Sequence, residues 1–245
     1  MAGMSALQII QLVCAWQALP IPSGLFSATD PQTIELRNLL NEELGELKKW
    51  PDCYWRKAMR QHTFISENSD VQTLSPLPDD LEYIIPNTMW DRTMTRPCLG
   101  PIDPATWQAW KARPILTSVL WGWRLRGSEF LTAPNPPAGD TVAYEYISNL
   151  AVYASGDDAT PPTQEYFQAD ADTAIFDGLM MARGVRWRFL SQKKLDYTQE
   201  YSMWVGLVQR EASRNKGMPI LNAAGPTWPA LAGPFVPAFG WPGPS

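Results

Sequence analysis

Leu81–Trp110 reads LEYIIPNTMWDRTMTRPCLGPIDPATWQAW, and the rest of the chain is organised around how this stretch folds. Tyr83-Ile84-Ile85 is a short apolar run that predicts a strand, and Pro86 stops it. Trp90-Asp91-Arg92 places an aromatic beside a charge pair in a loop rich in Thr and Arg. Leu99-Gly100-Pro101 turns the chain. Asp103 is a good N-cap and Pro104 a good first helical residue, because the missing proline N–H is not needed there. The short helix that follows, near 104–112, ends in Trp107-Gln108-Ala109-Trp110. The stretch reads as a rigid elbow between a sheet and a helix, pinned by aromatics. Nothing in it is arranged for bond-breaking chemistry.

Upstream, Ile9, Ile10, Val13 and Trp16 have helical spacing within Ser5–Gln17, and Pro20 and Pro22 end that helix. Asp30-Pro31 supplies a cap and a first residue for a second helix. Its stripe is Leu36, Leu40, Leu44 and Leu47, with Arg37, Glu42, Glu43, Glu46, Lys48 and Lys49 largely off it. Asp52–Arg60 reads as a short third helix with Trp55 facing inward. From His62 the texture changes. Thr63–Ser66 and Val71–Leu74 read as the two strands of a hairpin.

Downstream, Leu120–Arg126 partly alternates, Gly127-Ser128 turns the chain, and Glu129-Phe130-Leu131 continues the strand texture. PNPPAGD (134–140) is a loop, and Thr141–Ser148 alternates as a half-buried strand should. After the polar loop at 156–164, Asp170 or Asp172 caps a long helix through Phe176, Met180, Arg183, Trp187 and Leu190. Asp196 starts another that carries Tyr197, Tyr201, Trp204 and Val208. Arg183, Arg186, Arg188, Lys193 and Lys194 lie between Leu179 and Leu195 with no acidic residue among them. They read either as a solvated helix face or as a basic surface for DNA, an acidic neighbour or an adjoining subunit.

These elements predict an α+β fold. It is an α-helical bundle (1–61 and 170–216) with a small antiparallel β domain inserted at 62–169 and an extended Pro-rich segment at 217–245. That last segment, from Met218, has no charged side chain, seven prolines, and Trp228, Phe235, Phe239 and Trp241 spread among them. A solvated tail is normally charged and poor in aromatics. It reads as an extended docking peptide for pockets on another surface, or else as a strap over the protein's own body.

The chain has 245 residues and a net charge of −5, which argues against a generic nucleic-acid binder. Cys14, Cys53 and Cys98 have no CxxC spacing, and with the single histidine, His62, they make no plausible zinc set. They read as reduced core thiols. No apolar run approaches the ~18 residues of a membrane span, and the N-terminus has no basic n-region, so a soluble protein is expected. No GxGxxG, P-loop or HExxH pattern occurs, and no cofactor is expected. Asp157-Asp158 resembles a metal pair but lacks a third ligand at useful spacing. Trp121-Gly122-Trp123 reads as a sugar platform or, more simply, as one face of a sheet core. The expectation is a structural protein, not an enzyme.

In order, the chain resembles the head-to-tail adaptor (head-completion or tail-accessory) proteins of short-tailed bacteriophages. The residues that carry this are Val13-Cys14 with Leu19-Pro20-Ile21-Pro22, Leu39–Leu47 (LLNEELGEL) with Trp50, and Leu77-Pro78-Asp79-Asp80. Ile85–Arg92 (IPNTMWDR), Gly100-Pro101-Ile102 with Trp107, and Arg124-Leu125-Arg126-Gly127 continue the series. It closes with Tyr144–Ser148 (YEYIS), Asp170–Thr173 (DADT), and Gly184–Arg188 (GVRWR) with Leu195-Asp196-Tyr197. The match spans roughly residues 6–215 and leaves the Pro-rich segment without a counterpart.

The resemblance implies a dodecameric ring beneath the portal at the virion neck, made in the host cytoplasm. Such a ring extends the DNA channel without sequence-specific binding, docks the tail nozzle, and helps retain the packaged genome; no membrane is involved. The alternatives are a tail-tube or nozzle subunit, a glycan-binding module, or a cell-wall hydrolase with a carboxylate pair in a cleft.

Overall fold

The computed structural model describes residues 3–50, 53–112, 120–156 and 161–215. The helices are α1 (Ala6–Trp16), α2 (Pro31–Lys48), α3 (Pro104–Lys111), α4 (Gly178–Gln192) and α5 (Thr198–Asn215). The strands are β1 (Met59–Ile65), β2 (Val71–Gln72), β3 (Leu81–Ile84), β4 (Trp90–Asp91) and β5 (Arg96–Pro97), then β6 (Gly122–Arg126), β7 (Glu129–Ala133), β8 (Thr141–Ser148), β9 (Val152–Tyr153) and β10 (Thr173–Ala174). The registered strand pairs are antiparallel, so the fold is mixed α+β, as the sequence predicts. The chain divides into two compact units. The described residues within 3–60, 80–82 and 147–215 form one, and those within 61–79 and 83–146 form the other.

In the helical unit, α1 opens with a capping box in which Ser5 and Gln8 bond each other's backbone N–H groups. Asp30 caps α2 through Thr33 N at 2.8 Å, with Pro31 at the first position, as expected. The apolar stripe of α2 is wholly buried, as are Ile9, Ile10 and Val13 of α1 and Met180, Met181 and Val185 of α4, and α2 packs against both helices. α4 packs against α1, α2 and α5. Its cap is Asp177, whose carboxylate accepts from Met180 N at 3.0 Å. Asp170 and Asp172, expected as caps, anchor loops instead. Asp170 accepts from Leu25 N and Phe26 N, both at 2.9 Å, and Asp172 accepts from Ser155, Gln168 and Ala169 N. The stretch 147–169, which the sequence reading placed in the β insertion, belongs to this unit.

The expected third helix shrinks to a 3-10 turn at Arg56–Ala58, after which β1 begins at Met59. β1 hydrogen-bonds to β8, and that tertiary pairing outweighs a weak local helix propensity. Trp55 does face inward, and its Nε1 donates to Leu47 O at 2.7 Å.

In the β-rich unit the sheet order is β1-β8-β4-β5, with β3 also on β8; a second sheet runs β2-β7-β6. The expected β1–β2 hairpin does not form, since Val71 pairs with Leu131 and Gln72 with Phe130. Side chains close the connection locally. Gln72 Oε1 accepts from Glu67 N at 2.7 Å, and the Glu67 carboxylate accepts from Thr73 and Leu74 N. The helical end of the elbow forms as read, but Trp90-Asp91, read as loop, is strand β4, because β8 and β5 offer it ladders on both sides. Asp103 accepts from Ala105 and Thr106 N, both at 3.0 Å, and Trp107 packs with Leu131 and Ala133. Gly100, at φ +155°, lets the chain run against β6; a Cβ there would lie 2.6 Å from Trp123 O. Trp121 and Trp123 are both buried, so this pair is sheet core.

Candidate functional site

The densest chemistry among the described residues lies where α2, α4 and α5 meet. Glu43 is fully buried (0% exposed), and so is Arg188 (4% exposed). The Arg188 guanidinium bonds the carboxylates of Glu43 and Glu46 and also reaches Gly184 O at 3.3 Å. Trp204 Nε1 donates to the other Glu43 oxygen at 2.7 Å. α4 passes close here because residue 184 is glycine; any Cβ would run into the Glu43 carboxylate. Burial pushes the Glu43 carboxyl up to about 7, against the opposing pull of Arg188 and the Trp204 N–H. The group therefore sits between a neutral hydrogen-bond partner and a charged one near neutral pH.

A second charged knot adjoins this cluster. Arg183 and Arg186 each approach Glu200 at 3.0 Å, and both guanidiniums lie over the Trp16 ring at 5.6 and 5.5 Å. One carboxylate thus ties two turns of α4 to α5, with α1 supplying the aromatic floor. Outside it, Trp187 carries the rings of Tyr197 and Tyr201 at centroid distances of 6.0 and 5.1 Å. Both tyrosines and Leu195 are exposed. This shelf presents amphipathic rings at the surface, the composition that favours contact with another protein.

A cleft of about 430 Å³ in the same unit is lined by Trp55, Lys57, Phe176, Asp177, Glu211 and Asn215, among others. No group of three or more His, Cys, Asp or Glu among the described residues could hold a metal. Cys14, Cys53 and Cys98 are buried thiols outside any disulfide, and burial raises the thiols of Cys14 and Cys98. No described helix is long and apolar enough to cross a membrane.

The residues singled out from the sequence fare differently. Arg188 is not part of an outward basic face, because its charge is sealed between Glu43 and Glu46. Arg183 and Arg186 keep partial exposure but share Glu200. Trp228, Phe235, Phe239 and Trp241 lie outside the described residues, as do Asp157 and Asp158. Sequence reasoning missed Glu43, which it placed off the apolar stripe. The signal was present: position 43 is three after Leu40 and seven after Leu36, on the buried face. It also missed Gly184 and Trp204, whose importance comes only from their partner on α2. No protein-family model matches the chain, and no curated protein matches it.

Proposed function

We propose that the chain is a structural virion protein: a head-to-tail adaptor, built as a helical bundle with an inserted β domain and an extended C-terminal segment. It assembles as a ring, dodecameric on this reading, that binds the portal at the virion neck, continues the DNA channel and offers the tail nozzle its seat. The observation that carries this reading is where two of the resembling stretches meet. LLNEELGEL contributes Glu43, GVRWR contributes Gly184 and Arg188, and the three are in contact although about 140 positions separate them. Motifs that interlock through a buried ion pair belong to the framework of the fold, which a ring subunit that helps retain the genome requires.

The exposed Tyr197–Tyr201 shelf supports a protein-binding role for the helical unit. On this reading Trp228, Phe235, Phe239 and Trp241 dock the Pro-rich segment on the portal or on a neighbouring subunit. The burial of Trp121 and Trp123 disfavours the glycan-platform alternative, which needs its rings in solvent.

Electron microscopy of the purified protein, alone and mixed with its cognate portal, tests the proposal. A ring seated on the portal is the expected result. Loss of that ring on deleting 218–245 assigns the docking to the Pro-rich segment; persistence keeps the adaptor and removes that role from the segment. Failure to associate with the portal under any condition overturns the adaptor in favour of a distal tail subunit.

A further inference from the structure

Asp91 ends β4 and Asp140 immediately precedes β8, and both are buried (3% and 5% exposed). The antiparallel register sets Asp91 opposite Val142, and Arg92 N donates to Thr141 O at 2.8 Å, so the two aspartates lie diagonally across adjoining strands. Asp140, two residues before Val142, therefore lies on the same face of the sheet as Asp91. Asp91 Oδ1 accepts from Thr93 N at 3.0 Å and Met94 N at 2.9 Å, closing the turn between β4 and β5. The Asp140 backbone is held through Ser66, whose Oγ accepts from Asp140 N at 3.2 Å and whose N donates to Asp140 O at 2.9 Å. Yet Asp140 Oδ2 is buried with no hydrogen-bond partner.

Two ionised carboxylates can only accept, so as a buried pair they repel and leave lone pairs unsatisfied. A single proton turns one of them into a donor. We propose that Asp140 keeps a proton and donates it to Asp91, and that this bond pins the β4–β5 turn to the start of β8 as a pH-sensitive latch.

Arg96 and Cys98 face the pair. Arg96 on β5 draws Asp140 toward ionisation, while burial and the Asp91 charge hold its carboxyl above the ordinary range, and these prevail. The Cys98 thiol beside Asp91 is kept neutral by burial and by that same charge. A carboxyl raised in the fold keeps its proton after the unfolded chain has lost its own. The latch is therefore complete at low pH and weakens as pH rises above the ordinary aspartate value of 3.8. The inference is independent of the adaptor reading.

The test is amide hydrogen exchange at Thr93 and Met94 in the full chain, corrected for intrinsic exchange, over a pH series that starts below the ordinary aspartate value of 3.8 and runs up through neutrality. Wild type should lose protection with rising pH, about tenfold for each unit by which the Asp140 carboxyl is held above its ordinary range. Asp140→Asn carries a permanent N–H donor toward Asp91 and should show a flat profile. Asp91→Asn should be flat too, since its Oδ1 still accepts from Thr93 and Met94; it gives the same reading if Asp140→Asn does not fold. Wild-type pH dependence surviving in both variants overturns the latch. A calcium- or magnesium-dependent rise in melting temperature that Asp140→Asn abolishes also overturns it, because a cation then sits where the proton is placed.

Discussion

Gly184 on α4 lies directly against the Glu43 carboxylate on α2, and the space it leaves is filled by that buried acid. The absence of one side chain thereby sets how closely two helices approach, and the ion pair with Arg188 closes over the gap.

Gly184→Ala should therefore destabilise the protein, although alanine is the better helix former. Overpacking costs ~1–3 kcal/mol. Gly206 on α5 has open space where its Cβ would go, so Gly206→Ala should stabilise by up to ~1 kcal/mol. Urea unfolding of the two variants should give opposite signs; equal shifts would mean the Gly184 contact is not tight.

Removing Arg188 leaves a buried acid without its cation. Arg188→Ala should cost about 3 kcal/mol, and combining it with Glu43→Gln should cost clearly less than the sum of the two single changes. Additive effects in a double-mutant cycle would show that the pair does not interact in solution.

The raised Glu43 carboxyl has a pH signature. Below about 4.5 both folded and unfolded chains hold the proton; between about 4.5 and about 7 only the folded chain does. Folding then binds protons, so this group's contribution falls as pH climbs through that window and levels off above it. The stability of wild type minus that of Glu43→Gln should drop between pH 4.5 and 7 by up to ~3 kcal/mol. A difference that rises with pH would mean Arg188 holds the acid ionised throughout.

Asp172 is buried and satisfies the N–H groups of Ser155, Gln168 and Ala169. Asp172→Ala should cost ~3 kcal/mol or more, because three donors lose a charged acceptor. The exposed Asp196, which accepts from Thr198 N at the start of α5, is the comparison; its alanine variant should cost ~1 kcal/mol or less. Thermal melts of the pair would check the ranking.

The sequence by itself determined the elements whose signals are local. Asp30-Pro31 and Asp103-Pro104 mark helix starts through cap chemistry that needs no distant partner, and both appear where they were read. The stripe Leu36, Leu40, Leu44 and Leu47 specified its buried face by period alone. What depended on partners far along the chain was decided only in the tertiary structure. Met59–Ile65 became a strand because β8 offered a ladder, and Val71-Gln72 left its expected hairpin because β7 did. Asp170 and Asp172 gave up helix caps for loop N–H groups that lie elsewhere in the sequence. The charge of Arg188 reads as a surface feature in a one-dimensional pattern. Only the fold, by bringing Glu43 and Trp204 from 145 and 16 positions away, turns it into the centre of a buried cluster. Periodicity records which way a side chain points, but not what waits there, and for a charged residue the partner decides whether burial is possible at all.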